Sequence, residues 1–555
     1  MEPRPWHRHY DYNVPVTIRY PRVPLQDLLR IPANACGSKA GLNFYGTEIT
    51  FWDLRQQVLR LANALAALGV QKGDRVGLHL PTSPQYVIAY YATLSVGAIV
   101  VNLNPMYTPD ELKGIAENTR LAALFTFGMV LPKVRVLCES VEIPRVVVTK
   151  MTDYVQGMGQ STPAELDLEE GWYHFSQLIE GCSNTKPPRV EIRPEDPAQI
   201  QFTGGTTGIP KGAILTHANM VAGTFQVALW GAVTINLTPM EKRNVLAVLP
   251  YFHAYGNIVV MNWSLFACAT QILVPRFQID ELMNLLSNFD EITFFPAVPT
   301  MISAVINHPK IGELNLDRKL LLLNSGAAPM PLELIEKVKD MGIFYNEGYG
   351  MSESTSLGIA NPVFGMKKNG SIGIPFPDND VRLVDLDEGI EDVPAGEPGE
   401  IVMKGPLVMK GYWEDPEKTA DQLRDGWLYT GDIAVRDDDH YFYIVDRKKD
   451  MIIAGGYNVY PREIDEVLYR HPKIMDAVAV GVPDEYRGET VKAFVVLKPG
   501  ETATEKEIIE FCREKLAPYK APKLVEFRDD LPKSAVGKVL RKILREQELA
   551  KKRQE

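Results

Sequence analysis

Long apolar runs are missing from this sequence. The most hydrophobic stretch, Tyr86–Val101 (YVIAYYATLSVGAIVV), is 16 residues long and contains Thr93, Ser95 and Gly97. A bilayer span needs about 20 apolar residues, so the stretch reads as a buried helix stopped near Gly97 and followed by the strand Ala98–Val101. The opening MEPRPWHRHYDYNVP carries no apolar core of the kind a secretory signal has, and none is expected. Cysteine is scarce: Cys36, Cys138, Cys182, Cys268 and Cys512 are odd in number and show no C-x-x-C spacing. That argues against a disulfide framework or a zinc site and fits a reducing compartment, the cytoplasm. Positive charge is not in excess. A formal net charge of −11 argues against nonspecific nucleic-acid binding. No fixed-period repeat is present, and the only biased tract is Asp437–Asp439.

What is there is length and alternation. A chain of 555 residues is too long for one core, and the length prior suggests about three or four core-sized units. Leu54, Val58, Leu61, Ala62, Leu65 and Leu68 recur at helical spacing, with Thr50 and Asp53 as a capping-box-like start and Gly69 as a stop. The run Val76–Leu80 reads as a buried strand. Helix–strand units recur at Ser83–Asn102 and Pro109–Phe127, with a further strand at Arg145–Thr149, and the alternation resumes from Ala218 to Tyr345. This is an α/β pattern with parallel sheet. From about Gly370 short strands (Val381–Val384, Gly399–Met403, Tyr441–Val445) between Gly, Pro and Asp turns predict an antiparallel or barrel-like unit. After Asp446 comes a smaller α+β segment, with helices Pro461–Arg470 and Glu505–Leu516 and strands Asp476–Val482 and Lys492–Leu497. The stretch Asp446–Asp450 reads equally as a hinge or an exposed turn. From Lys533 onward eight Lys/Arg face three Glu, which reads as a solvated, partly frayed C-terminal helix.

The segment Thr203–Gly212, TGGTTGIPKG, is dense in backbone N–H groups and hydroxyls and carries Lys211. Those are the groups that cradle a polyphosphate. It is not a Walker loop: counted from Gly205, Pro210 stands at the second glycine position and Gly212 at the hydroxyl position. With glycines alone, a plain Gly-rich hairpin would be the default reading.

From Phe202 to Gly212 the segment resembles the phosphate-binding signature of the adenylate-forming superfamily, which includes acyl-CoA synthetases, luciferases and peptide-synthetase adenylation domains. Six further stretches resemble that family's motifs in order: Pro250–His253, Asn324–Pro329, Glu347–Glu353, Tyr429–Asp432, the region from Asp446-Arg447 through Gly456 with Pro461-x-Glu463, and Pro532–Lys538. Taken singly, His253 would pass for a core histidine, and Glu353 and Lys538 for surface charges.

The resemblance implies an α/β fold. A large N-terminal adenylation domain, residues 1–446, would combine Rossmann-like subdomains with the β-barrel-like unit, and a small mobile α+β domain would span 447–555. It implies ATP, Mg²⁺ and coenzyme A as cofactors. Thr203, Gly204, Gly205, Thr206, Thr207, Gly208 and Lys211 would hold the β- and γ-phosphates. Gly326, Ala327 and Ala328, with Glu347, Gly348, Tyr349 and Gly350, would hold adenine, and Ser352 would contact the α-phosphate. Asp432 would take the ribose hydroxyls beside Arg447. Glu353, with Thr207, would hold Mg²⁺, and His253 would lie near the reacting carboxylate. Lys538 would bridge the carboxylate and α-phosphate as a flexible point charge. Lys449 would be the hinge, and Gly455, Gly456 and Tyr457 would make room for pantetheine.

The implied reaction is activation of an acid to acyl-AMP followed by transfer to CoA. The opening residues, the Thr203-Gly204-Gly205 variant and GGYNVYPREID look most like long- or medium-chain fatty acid–CoA ligases. An acyl tunnel is expected near Tyr251–Asn257, Phe294–Met301 and the loop after Ser325. Two departures stand out: Asn458 where short-acid members often carry arginine, and Ser352 for the commoner threonine. Aryl-acid ligases, carrier-protein ligases, a luciferase-like oxygenase and a catalytically silent AMP-binding regulator are the alternatives. The partners are small molecules, with no nucleic acid. The basic tail is compatible with weak peripheral membrane contact, and a homodimer is compatible with the sequence.

Overall fold

The computed structural model describes residues 4–155, 168–203, 210–454, 457–484, 487–534 and 537–554. Its early elements follow the hydrophobic period. The helix Phe51–Ala67 starts where the Thr50 side chain accepts the Asp53 N–H, and Gly69 follows its end at a positive φ of 82°. The run Tyr86–Val101 divides into the helix Pro84–Ser95, buried over nearly its whole surface, and the strand Ile99–Asn102. No described helix is long and apolar enough to cross a membrane.

An eight-stranded sheet carries the parallel strands Ile99–Asn102, Arg75–Leu78, Leu121–Phe127, Val146–Thr149 and Trp172–His174 side by side. The strand Pro197–Thr203 joins them in parallel beside Ile99–Asn102. It then turns back as Lys211–Thr216, an antiparallel pairing with Thr203 opposite Lys211. The segment after the glycine-rich turn is therefore a strand, not a loop running to the helix His217–Trp230. Its Ala-Ile-Leu run buries against the sheet, and Gly411–Tyr412 pairs along its far edge.

A second parallel set, Phe295–Ala297, Leu323–Ser325 and Tyr345–Gly350, is extended antiparallel by Gly358–Ala360 and Ile374–Pro375. The Gly/Pro-punctuated region forms the expected antiparallel unit, built on Asp380–Val384, Gly399–Lys404, Trp427–Arg436 and Phe442–Arg447. Residues 452–554 enclose their own hydrophobic cluster, including Ile464, Leu468, Val491, Val495, Ile508 and Cys512.

The C-terminal helix Arg541–Gln554 is docked rather than frayed. Leu544 is buried in a small apolar cluster with Val480 and Phe494. Among its described side chains, the cations are engaged by carboxylates: Arg541 with Asp465, Arg545 with Glu489, Lys542 with Glu546, and Lys551 with Glu526 and Glu548. Lys533, just upstream, pairs with Asp476 at 2.6 Å.

Candidate active site

The ends of the two parallel sheets, the antiparallel unit and the C-terminal hairpin meet around one cavity of about 1070 Å³. It collects His253, Gly326, Ala327, Gly348, Tyr349, Gly350, Ser352, Glu353, Lys211, Asp432, Arg447, Lys449 and Lys538 from seven separate stretches of chain.

Strand register explains the polar floor. Asp432 lies directly opposite Arg447 on the neighbouring strand, and their side chains pair at 3.1 Å (Asp432 Oδ1, Arg447 Nε). The other carboxylate oxygen, Oδ2, accepts the Tyr349 hydroxyl at 2.6 Å. Both oxygens of a buried carboxylate are thus occupied by groups that also face the cavity. Gly350 follows Tyr349 where a Cβ would sit 2.3 Å from the Ser356 carbonyl group, so only glycine allows this strand to pass.

The Tyr412–Glu353–Lys211 corner is built the same way. Buried Glu353 accepts the Tyr412 hydroxyl at 2.8 Å (Oε1), and the Lys211 ammonium stands 4.8 Å from the centre of the Tyr412 ring. Burial raises the Glu353 carboxyl above its ordinary range, opposed by the Tyr412 hydrogen bond and the Lys211 charge. Burial also lowers the Lys211 ammonium, with the Lys449 charge adding to it.

His253 keeps its Nδ1 as acceptor of the Tyr255 N–H at 3.3 Å, so the neutral ring carries its proton on Nε2. Burial, and then the Lys538 charge, push this imidazole down to about 4, so it is uncharged at neutral pH. Lys538 is pushed down to about 8 by burial and by Arg447. It projects from a hairpin whose Lys533 and Val539 are bridged, with Ser534 N–H donating to Lys538 O at 2.8 Å. The neighbouring Gly537, at φ 73°, sits where a Cβ would lie 2.6 Å from Thr300 Oγ1, so the hairpin presses directly on the larger body.

Some expected residues stand elsewhere. Glu347 does not line the cavity. It is buried, accepting the Met330 N–H at 3.3 Å and the Tyr345 hydroxyl at 3.2 Å, and so ties the segment after Ala327 to the strand Tyr345–Gly350. Ala328 lies beside the lining residues Gly326 and Ala327 but outside the lining itself. Gly204, Gly205, Thr206, Thr207, Gly208, Gly455 and Gly456 lie outside the described residues, as do the side chains of Thr203 and Tyr457.

Sequence reading missed Tyr412 and Trp230, and it placed Tyr255 only within an expected tunnel stretch, without its hydrogen-bonding role. Tyr412 carries Glu353. Tyr255 donates its hydroxyl to Asn324, whose amide donates to Asn346 Oδ1 at 2.7 Å. Trp230 closes part of the apolar wall with Val227, Val259, Trp263 and Phe294. Its indole N–H is fixed on Asn361 O at 2.9 Å, and its ring lies 5.3 Å from Tyr10 and 4.6 Å from Phe376. Of the expected tunnel stretches, Phe252–Tyr255, Phe294, Gly326 and Ala327 do face the cavity.

Residues 31–413 match the family described as AMP-binding enzyme, and residues 463–538 match the AMP-binding enzyme C-terminal domain. The chain is 40% identical to the long-chain-fatty-acid–CoA ligase of Bacillus subtilis over 556 residues, covering 98% of each. Among solved structures it resembles ATP-bound MatB from Rhodopseudomonas palustris, with a TM-score of 0.82, 28% identity and coverage of 95% and 99%. It also resembles the anthranilate CoA ligase AuaEII in complex with anthranoyl-AMP, with a TM-score of 0.85, 27% identity and coverage of 96% and 98%.

Proposed function

Because the chain belongs to the AMP-binding enzyme family, we propose that it is an ATP-dependent fatty acid–CoA ligase of the cytoplasm. In the first half-reaction the acid's carboxylate attacks the α-phosphorus of ATP, giving acyl-AMP and pyrophosphate. In the second, the CoA thiol displaces AMP, giving the thioester. The convergence of Lys538 with His253 and the Tyr349–Asp432–Arg447 set in one cavity carries this reading.

Both partners in the first step are anions, so the protein's contribution is electrostatic and positional. Lys538 supplies positive charge where carboxylate and α-phosphate oxygens meet. His253, neutral with its proton on Nε2, donates a hydrogen bond to the carboxylate without adding charge. Asp432 turns its acceptor oxygens to the ribose hydroxyls, with Arg447 as its charge partner. Tyr349, Gly326 and Ala327 border the adenine, Ser352 reaches the α-phosphate, and Lys211, with Gly204–Gly208, holds the departing pyrophosphate.

Magnesium suits Glu353, a hard carboxylate beside a phosphate-directed lysine, since Mg²⁺ sites pair one or two carboxylates with substrate phosphates. When bound there, with Thr207 as the second proposed protein oxygen, it would neutralise phosphate charge.

We place the domain boundary at 446/447, with Lys449 as the hinge of a mobile C-terminal domain. The separate core of residues 452–554 supports this division. In that scheme Gly455, Gly456 and Tyr457 serve the CoA half-reaction.

An aryl-acid–CoA ligase is the second reading, favoured by the structural likeness to an anthranilate ligase. One assay separates them: AMP release from ATP and CoA with acids from acetate to oleate and with aryl acids. Long-chain acids are expected to give the highest kcat/KM, and a preference for aryl acids would overturn the fatty-acid assignment. Lys538→Ala tests the mechanism. Acyl-AMP formation is expected to fall by about 100-fold or more, while conversion of supplied acyl-AMP to acyl-CoA stays within a few-fold. Equal loss of both halves would refute the role given to Lys538.

A further inference from the structure

Lys538 stands at the end of a hairpin, and something must hold that hairpin's base. Leu540 N–H donates to Pro532 O at 2.8 Å, and the next residue, Arg541, opens the C-terminal helix. A guanidinium at a helix N-terminus opposes the helix dipole, which favours anions there. Arg541 is nevertheless largely buried at that position, inside an arc of three carboxylates. Asp465 accepts its Nη2, Asp450 Oδ2 lies 4.0 Å from Nη1, and Asp446 is close enough to act on its charge. Its Nε also donates to Ala479 O at 3.3 Å.

The three carboxylates are themselves fixed. Asp465 Oδ1 accepts the Ala479 N–H at 2.6 Å. Asp446 accepts the Arg447 N–H at 2.7 Å and the Arg462 N–H at 2.8 Å. Asp450 belongs to the turn that follows Arg447, whose N–H groups at 450 and 451 both donate to Arg447 O. The planar fork of Arg541 therefore ties the helix start to the strand Ile474–Asp484, to the helix Pro461–Tyr469 and to the turn after Arg447.

We propose that Arg541 is a positioning residue for Lys538, clamped by Asp446, Asp450 and Asp465 so that the hairpin Pro532–Leu540 holds the ammonium in the cavity for acyl-AMP formation. This rests on the adenylation role given to Lys538 above. It also explains why a cation is tolerated three residues from the reacting one. The pair is spaced by the helix start, and the aspartates absorb the second charge.

The test uses the full chain with Arg541→Gln and Arg541→Lys, and with Lys538→Ala as comparator. Acid-dependent ATP–pyrophosphate exchange reads the first half-reaction, and CoA with supplied acyl-AMP reads the second. A misplacement of about 1 Å can cost about 100-fold in rate, so Arg541→Gln is expected to lower the exchange kcat by about 30- to 100-fold. The KM for ATP should change less than about threefold, and the second half-reaction should stay within about threefold. Arg541→Lys should recover part of the lost rate, because it restores charge without the fork.

The pH profile supplies a readout that loss of packing alone would not move. Lys538 faces Arg447, Asp432, Asp450, His253 and Arg541. Removing one of these cations raises its pKa, so the alkaline limb of the exchange rate should shift to higher pH in Arg541→Gln. Unchanged exchange in Arg541→Gln alongside a dead Lys538→Ala would overturn the positioning role. So would equal loss of both half-reactions in the folded Arg541→Lys enzyme. If Lys538→Ala itself keeps exchange activity, the reading of Lys538 fails instead.

Discussion

The two walls of the cavity are built on opposite principles. On the nucleotide side each polar group is already satisfied by another: Tyr349 and Arg447 on Asp432, and Tyr412 on Glu353. On the side proposed above for the acyl chain, Trp230, Val259, Trp263 and Phe294 present mainly apolar surface, and its shape is set by packing from behind. A wall of the first kind recognises one ligand, because a group that cannot replace those hydrogen bonds leaves buried polar atoms unpaired. A wall of the second kind discriminates by about 1–3 kcal/mol per methylene and tolerates relatives. Under the function proposed above, the nucleotide is therefore expected to be specified far more sharply than the acid.

The largest effect that would sharpen this contrast belongs to Asp432→Asn. The change keeps the shape but leaves Arg447 without its charge partner. The KM for ATP is expected to rise by about 10- to 100-fold with kcat altered less, since Arg447 is half exposed and a hydrogen bond to a charged group is worth about 1.5–3 kcal/mol. Initial rates over an ATP series check this, and an unchanged KM would mean that the pair is not part of nucleotide recognition.

Trp230→Ala probes the other wall. Removing the indole opens space at the apolar end, and the ratio of kcat/KM for longer over shorter acids is expected to rise by about 10- to 100-fold, with the KM for ATP unchanged. A uniform drop for every acid would show that Trp230 supports the wall without setting chain length.

Lys538 gives a smaller, graded effect. Its pKa is pushed down to about 8 by burial, with Arg447 adding to the shift. If the ammonium must be charged, kcat/KM for acyl-AMP formation is level below that pH and falls with rising pH above it, by about tenfold near pH 9. Bound phosphates favour the charged form, so the corresponding limb in kcat should lie at higher pH. A pH–rate series on the exchange reaction reads both limbs.

This division also sets what was legible in the sequence. The nucleotide wall needs particular residue types at particular spacings, so Lys211, Tyr349, Glu353, Asp432 and Lys538 stand out as motif members. Alternation of helix and strand was equally legible, because the hydrophobic period is local. Residues that act through distant packing were not. Tyr412 reaches Glu353 across 59 positions, Tyr255 reaches Asn324 across 69, and Trp230 reaches Asn361 across 131. Nothing near Tyr412 or Trp230 in sequence marks it out, and Tyr255 stood out only as part of an expected tunnel stretch, not as a partner of Asn324. The strand Lys211–Thr216 was obscured by its glycine-rich approach, and Glu347 sits within a cavity-lining motif while serving the loop behind it.

Asp11 lies further still from the chemistry and shows how far the apolar wall extends. Its buried carboxylate accepts the N–H groups of Val363 at 2.8 Å, Phe364 at 3.1 Å and Gly365, 352 to 354 positions away. Val363 lines the cavity, and Tyr10, the preceding residue, packs on Trp230. Asp11 and Tyr10 therefore buttress the apolar wall through Val363 and Trp230. Replacing Asp11 by alanine leaves the buried Val363 N–H and two more exposed N–H groups without their acceptor, and a loss of about 1–3 kcal/mol of stability is expected. Rates should respond in only one direction. The KM for the acid should rise by less than about threefold, because an apolar wall is held by many weak contacts, and the KM for ATP should not move. Thermal melting together with KM values for both substrates checks the pair of expectations. A rise in the ATP KM would mean that the two walls are mechanically one.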